Sequence, residues 1–493
     1  MKVYNSLSRS IETVTPLHRG QIGMYTCGPT VYSFVTIGNL RTFVTSDLLL
    51  RALKYEGNDV HFVMNITDVG HLTGDNEGDA SQGEDRLEKS AKKEGKDAWH
   101  VAQFYTEAFL KDAQALHLVP PQELAKATDH IPEQIALIKR LEEKGFVYTI
   151  DDGLYFDTVQ YESVTHNIYG ELSNLDKILE GARIEANPQK KNPRDFALWK
   201  FSYPNGRNFN GETDDEAQKR HMEWESPWGI GFPGWHIECS AMSMKYLGES
   251  FDIHAGGEDL KSTHHPNEIA QSEGATGKQF AKYWVHSAFL LVDGKRMGKS
   301  LGNAYTVTDI LQKGFDPLSL RYFYMTGHYR SPLNFTWEGL TAAQNALGKL
   351  QSAYRSFTEV SDENRTELSE EKLSKVQGFR DAFQSALSDD LNMPAALAVV
   401  WEMVKSNIPS PDKRDLLLLF DEVLGFNLKD IKNEDIVVPA EITALLAQRD
   451  HARAQKNFSE SDRIRQVLEE KGYTVKDGPE GSTVILSHVA HQS

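Results

Sequence analysis

Apolar and polar positions change period several times along the chain, and each change predicts an element. Gly23-Met24-Tyr25-Thr26-Cys27 is a short apolar run ended by Gly28-Pro29, which predicts a strand stopping at a turn. From Asn39 the apolar residues Leu40, Phe43, Val44, Leu48, Ala52 and Tyr55 recur at helical spacing, and Gly57 stands where such a helix would end. Val60-His61-Phe62-Val63-Met64-Asn65-Ile66 is rich in β-formers and predicts a second strand. Strand, loop, helix, strand is the unit of a parallel sheet, whose ligands gather at the carboxyl ends of strands with phosphate near the helix start. Gly28, Pro29, Thr30 and Gly38 all fall in that stretch.

Residues 98–145 follow a helical pattern, 146–156 are strand-like, and a polar region reaches to about 192. The pattern reads as an α/β sheet domain interrupted by an insertion at about 115–192, with the sheet resuming at 195–200, 251–254 and 283–285. After about residue 306 the periodicity is almost wholly helical. Residues 359–371 read as an exposed connection and 428–438 as a linker. The last stretch, 439–493, predicts one polar helical segment and a hairpin near Asp477-Gly478-Pro479. The expected domains are therefore 1–320, 321–430 and 431–493.

Composition narrows the class. No run of about 18 apolar residues occurs, so no membrane-spanning helix is expected, and residues 1–19 lack an apolar signal core, which predicts a cytoplasmic protein. A net charge of −18 argues against broad binding to a polyanion, although Gln189-Lys190-Lys191-Asn192-Pro193-Arg194 offers a local basic face. The acidic stretches 74–88 and 214–225 read as solvated loops. Two cysteines, Cys27 and Cys239, do not make a disulfide framework in a chain of 493 residues.

Those cysteines open the first chemical reading. His264 and Glu268, four apart around Pro266, come together if a helix begins there. Two thiolates, an imidazole and a carboxylate form a zinc set. The alternative is two small buried cysteines and satisfied polar residues, because sequence alone does not bring three segments together. A second reading rests on Asp293-Gly294-Lys295-Arg296-Met297-Gly298-Lys299-Ser300-Leu301-Gly302-Asn303, whose glycines would let Lys299 and Ser300 close on a triphosphate. In isolation such a stretch is more often a basic surface turn.

Taken together, these residues resemble a family. Thr36-Ile37-Gly38-Asn39 stands where class I aminoacyl-tRNA synthetases carry their HIGH motif, and Arg296-Met297-Gly298-Lys299-Ser300 where they carry KMSKS. Within that class the chain is similar to the cysteinyl-tRNA synthetases through Cys27-Gly28-Pro29-Thr30-Val31-Tyr32, Asn65-Ile66-Thr67-Asp68, 233–242 and 264–268. The likeness continues into Asp389-Asp390-Leu391-Asn392-Met393-Pro394 and into 449–478. It implies a Rossmann-type catalytic domain with an inserted connective domain, a helical bundle and a small C-terminal anticodon-binding unit. It also implies a monomeric ligase that uses ATP with Mg2+ to activate L-cysteine and transfers it to tRNA(Cys). Carried over residue by residue, the resemblance assigns one Zn2+ to Cys27, Cys239, His264 and Glu268, and the amino-acid pocket to Gly28, Thr30, Thr67 and Trp235. It assigns the nucleotide side to Gly38, Asn39, Asp259 and Lys299, with Thr36, Asn39 and Lys299 in catalysis.

Three positions depart from the family pattern. Thr36 replaces the first histidine of HIGH, Arg296 the first lysine of KMSKS, and Gly298 its middle serine. A hydroxyl still donates but cannot become cationic, so a slower activation step is expected, with His71 a candidate to compensate. Two other functions stay open: a ligase joining cysteine to an amino-sugar, and an RNA-binding paralogue that has lost activation. The C-terminal stretch 439–493 speaks against the first, and retention of the four metal donors and Lys299 against the second.

Overall fold

The computed structural model of the chain describes residues 1–70, 72, 85–173, 187–203, 220–298, 301–360, 367–431, 440–471, 473–478 and 481–486. A hairpin, β1 (Lys2–Asn5) and β2 (Ser10–Thr13), leads into β3 (Gln21–Thr26), α1 (Ile37–Tyr55) and β4 (Asp59–Ile66), the strand–helix–strand unit expected from the pattern. Helices α2 (Arg86–Glu94) and α3 (Ala98–Ala115) connect β4 to β5 (Glu123–Lys126), followed by α4 (Ile131–Glu143). Strands β6 (Val147–Ile150) and β7 (Gly153–Phe156), helix α5 (Thr158–Thr165), and strands β8 (Phe196–Phe201) and β9 (Gly231–Pro233) come next. Then follow α6 (Trp235–Leu247), β10 (Phe251–Gly257), α7 (His264–Thr276) and β11 (Ala281–Ser287).

A five-stranded parallel sheet has the order β11-β10-β3-β4-β5. Every residue of β10 is buried, as expected for a parallel strand covered on both faces. From β3 the chain winds one way through α1 to β4 and β5, whereas β10 passes through α7 to β11 on the other side. The switch point lies between β3 and β10, where the chain ends of two neighbouring strands diverge and leave a crevice.

Two sequence expectations are corrected here. The strand expected to resume the parallel sheet at 195–200 does not: β8 pairs antiparallel with β7 and β9 in a four-stranded sheet, β6-β7-β8-β9. Conversely, β5 lies inside the expected insertion, 115–192, yet pairs with β4. The apolar run of β8 suits either sheet, and its place is set by packing: Phe156 stacks on Phe196 at 5.0 Å in a core shared with Phe146 and Tyr161. The second correction concerns the end of the acidic stretch 74–88; residues 74–84 of it, and 214–219 of the other, lie outside the described residues. Asp85 and Glu88 are buried rather than solvated; Asp85 caps α2 through Leu87 N–H and meets Arg220 at 2.9 Å, while Glu88 accepts from His221 N–H.

The chain forms two compact units, one of Met1–Val307 with Pro317–Phe426 and one of Thr308–Asp316 with Asn427–Ser493. The first continues through a small sheet of β12 (Leu290–Val292), β13 (Lys295–Arg296) and β14 (Leu333–Phe335). Helix α8 (Val307–Gln312) precedes α9 (Pro317–Met325), α10 (Trp337–Thr358), α11 (Glu370–Ser388), α12 (Met393–Lys405) and α13 (Ser410–Leu424). The expected seam at 320 falls within α9, inside the first unit. Among the described residues of 439–493 there are two helices, α14 (Ala440–Ala454) and α15 (Phe458–Glu470), where one was expected, and the second unit also takes in Thr308–Gln312 of α8. It ends in the expected hairpin, β15 (Tyr473–Gly478) with β16 (Gly481–Leu486), on a core of Ile442, Ile464, Leu468 and Val475. Among the described residues no helix is long and apolar enough to cross a membrane.

Candidate functional site

The amino terminus of α1 opens into the switch-point crevice, and its first residues hold one another. Thr36 is the N-cap: its hydroxyl accepts from Asn39 N–H and donates to Asn39 Oδ1 at 2.7 Å, while Thr36 N–H returns a bond to the same oxygen. This reciprocal cap satisfies donors that the helix start would otherwise leave open and keeps its positive dipole end toward the crevice. Ile37 is fully buried, receiving Tyr324 Oη–H on its carbonyl and donating to Tyr305 O. One turn on, Arg41 is 1 % exposed and donates to four backbone carbonyls, of Ala288, Phe289, His328 and Ser331. Nothing in the helical pattern marked Arg41, yet it ties α1 to the chain leading into β12 and to the turn before β14.

The crevice is lined by Cys27, Gly28 and Thr30 after β3, by Thr36 and Asn39 of α1, and by Trp235 and Asp259 opposite. Gly28 is required by space: a Cβ would lie 1.7 Å from Asn65 O, and its N–H donates to Asn65 Oδ1. Thr67 is buried behind this wall. It braces 29–31 by backbone bonds with Pro29 and Val31, and Asn65 donates to its hydroxyl. Asp259 sits exposed in the short helical turn Glu258–Lys261 that follows β10. The two signature stretches touch, because a Cβ on Gly38 would come 3.2 Å from Met297 Sδ. Arg296 ends the exposed β13, and Asn303 clips the loop by accepting from Gly298 N–H and donating to Arg296 O. Lys299, Ser300 and His71 lie outside the described residues.

On the floor the structure brings Cys27, Cys239, His264 and Glu268 together. Cys27 follows β3, Cys239 lies in the second turn of α6, and His264 and Glu268 stand one turn apart at the start of α7. All four are buried, and one donor atom from each lies within 4.8 Å of the others. His264 Nε2 is 3.4 Å from Cys239 Sγ and 3.1 Å from Glu268 Oε1, and Cys27 Sγ is 3.7 Å from the same oxygen. The Trp235 ring covers His264, 4.2 Å between centroids.

Histidines that no sequence motif singled out surround these donors. His254 Nε2 meets Glu268 Oε2 at 2.8 Å, and His236 shares a 2.9 Å hydrogen bond with His264 Nδ1. His265 bonds to His286, which bonds to Ser6, both at 2.8 Å. Cys27, His254, His265 and Glu268 form a second overlapping donor set. The first set is softer by one sulfur, which favours it for zinc. Such outer bonds orient metal ligands and fix their tautomers.

The four donors differ in how readily each takes a charge. Burial, and then Cys239 beside it, pushes the Cys27 thiol well above its usual range. Burial also opposes charge on Cys239, but the bond from Cys27 and the neighbouring His264 bring it down to about 6. Burial opposes charge on His264, yet Glu268 and Cys239 prevail and raise it to about 10. Against the same penalty, His254 and His264 draw Glu268 down to about 2. A divalent cation fits this set: it would replace the His264 proton and stabilise both thiolates. Uptake at neutral pH must therefore expel protons from Cys27 and His264. Zinc affinity is expected to rise about a hundredfold per pH unit between pH 6.5 and 8.5, measured by chelator competition. A flat profile would show that these groups are not the ligands.

Comparison with known proteins follows the same lines. Residues 13–345 match the family described as tRNA synthetases class I (C) catalytic domain. Residues 437–484 match the cysteinyl-tRNA ligase anticodon binding domain, and 382–407 the DALR domain. The cysteine–tRNA ligase 1 of Burkholderia lata is 46 % identical over 98 % of this chain and 96 % of its own. The cysteine–tRNA ligase of Treponema denticola is 40 % identical over 97 % of this chain and 98 % of its own. Among solved structures, Mycobacterium tuberculosis methionyl-tRNA synthetase with methionyl-adenylate aligns at TM-score 0.55 and 15 % identity, covering 82 % of this chain and 89 % of its own. An Agrobacterium radiobacter leucyl-tRNA synthetase complex aligns at 0.57 and 12 % identity, covering 84 % of each chain. These two likenesses are likenesses of fold.

Proposed function

The chain belongs to the cysteine–tRNA ligase family of class I aminoacyl-tRNA synthetases, and on that premise we propose that it activates L-cysteine with ATP and transfers the cysteinyl group to tRNA(Cys). The observation that carries the reading is the convergence of Cys27, Cys239, His264 and Glu268 on the floor of a crevice whose rim carries Thr36 and Asn39. These four would hold Zn2+, which when bound offers the substrate's thiolate a coordination partner that serine's hydroxyl cannot match. A site that reads a polar group in this way discriminates by about 10⁴ or more without editing. The proposal extends to Mg2+ on ATP, a monomeric state and a cytoplasmic location.

The protein's own groups divide the work. The cysteine carboxylate attacks the α-phosphorus of ATP, forming cysteinyl-adenylate and releasing pyrophosphate. The α1 amino terminus, with Gly38 and Asn39, faces the phosphates with its dipole. Lys299 supplies a compact positive charge as pyrophosphate leaves. Asp259 lies across the crevice, on the nucleotide side, and Trp235 closes the amino-acid side over His264. A hydroxyl of the terminal ribose of tRNA then attacks the acyl carbon and releases AMP.

In this proposal Thr36 caps α1 and, once ATP is bound, turns its one hydroxyl proton from Asn39 Oδ1 toward the phosphates in place of a histidine. Thr36→Ala is expected to slow cysteine-dependent ATP–pyrophosphate exchange by about 10²-fold, the scale of one lost transition-state donor. The same change should cost only about 1 kcal/mol of stability through the cap. Thr36→Ser should retain most of both. An alanine variant that is merely less stable, with exchange intact, would reduce Thr36 to a cap.

The overall reading is tested by exchange followed by charging. Exchange with cysteine and charging of tRNA(Cys) support it. Exchange without charging would point to a small-molecule cysteine ligase, and no exchange by zinc-loaded protein would remove both enzymatic readings.

A further inference from the structure

Two large aromatic rings stand in solvent beside the mouth of the crevice. Phe34, in the segment that lines it, is 45 % exposed, and Phe104 on α3 is 47 % exposed. Their centroids lie 5.9 Å apart at 71°, and Tyr105 completes the cluster 5.1 Å from each. A single exposed phenylalanine needs no explanation, but two meeting at the rim of a site form a shelf. The shelf is braced from behind: Tyr105 Oη–H donates to Glu94 at 2.8 Å, and Ser90 donates to Tyr32 O at 3.0 Å. Lys96 Nζ lies 5.2 Å from the Phe104 ring centre. It continues a row of exposed lysines, Lys89, Lys92 and Lys93, on α2, in a chain whose net charge is −18.

We infer that this shelf receives the unpaired nucleotides at the 3′ end of tRNA, stacking a base on the face of Phe104 with Phe34 edge-on beside it while Lys96 meets the adjoining phosphate. The inference rests on the ligase reading of the crevice. If the terminal ribose reaches the adenylate inside, the nucleotides before it must cross the rim. Ring faces bind any base by stacking, and lysines bind the backbone without reading sequence. An apolar protein segment would use the rings but gain nothing from the lysines, so mixed aromatic and cationic character favours single-stranded nucleic acid.

The test separates activation from transfer in the full-length, zinc-loaded protein. Phe104→Ala is expected to leave cysteine-dependent ATP–pyrophosphate exchange, measured without tRNA, within about twofold of the parent. It should lower kcat/KM for tRNA in charging by about tenfold to a hundredfold, through KM, as expected for one lost base stack. Phe104→Trp should restore charging, and Lys96→Ala should weaken tRNA binding and flatten its salt dependence. Unchanged charging by Phe104→Ala would overturn the inference, as would an equal loss of exchange, which would make Phe104 structural. Absence of exchange in the parent protein would instead strike the ligase reading itself.

Discussion

Cys239→Ser is expected to strip the protein of its stoichiometric zinc and, with it, of its preference for cysteine. Cys239 is 1 % exposed, and its sulfur lies 3.4 Å from His264 Nε2, so serine fits the space with little disturbance. The chemistry is what changes. A serine hydroxyl does not ionise near neutral pH, whereas the thiol is already drawn down to about 6 by Cys27 and His264 against the cost of burial. Metal content should fall below about one-tenth of the parent's, and the exchange rate ratio of cysteine to serine from about 10⁴ toward 10². Emission spectroscopy of the purified variant and exchange with each amino acid measure both. Full retention of zinc would place the ion on the neighbouring set, Cys27, His254, His265 and Glu268, instead.

Arg321→Met is expected to destabilise the first unit by about 3–5 kcal/mol, the usual cost of breaking a buried ion pair from one side. The guanidinium is fully buried and donates to Asp47 Oδ2 and Leu424 O at 2.6 Å and to Leu116 O at 3.1 Å. It thereby joins α1, the end of α3 and the end of α13 at one point. The fit leaves no slack, because a Cβ on Gly425 would meet the guanidinium at 2.6 Å, and Gly425 also takes a positive φ of 68°. Lysine cannot reproduce three directed bonds from one planar group, so Arg321→Lys should rescue little. Urea unfolding of parent and variants gives the difference. An unchanged midpoint for Arg321→Met would show the pair to be energetically neutral.

What the sequence revealed of this site depended on residue type more than on position. Cys27, Cys239, His264 and Glu268 could be named because thiols and an i,i+4 histidine–carboxylate pair carry chemistry wherever they stand, and the structure brings them within 4.8 Å. His254, His236 and His286 could not, since their meaning lies in partners contributed by distant elements. Arg41 and Arg321 are charged residues of a kind that ordinarily faces water, and only the fold shows them buried against carbonyls. Strand β8 illustrates a related point: its apolar run suits a strand, but the choice of sheet depends on the partners β7 and β9. Against the family motif Thr36 looks like a deficiency; its reciprocal bonds with Asn39 give it a capping role that a motif does not reveal.

That the crevice selects cysteine through a metal on its floor is tested most directly by amino-acid-dependent exchange of labelled pyrophosphate into ATP. Protein carrying one zinc per chain should exchange with cysteine and at least about 10⁴-fold less with serine or alanine. Chelation should abolish the activity, and added zinc should return it. Cysteine-selective exchange that survives complete removal of the metal would contradict the assignment.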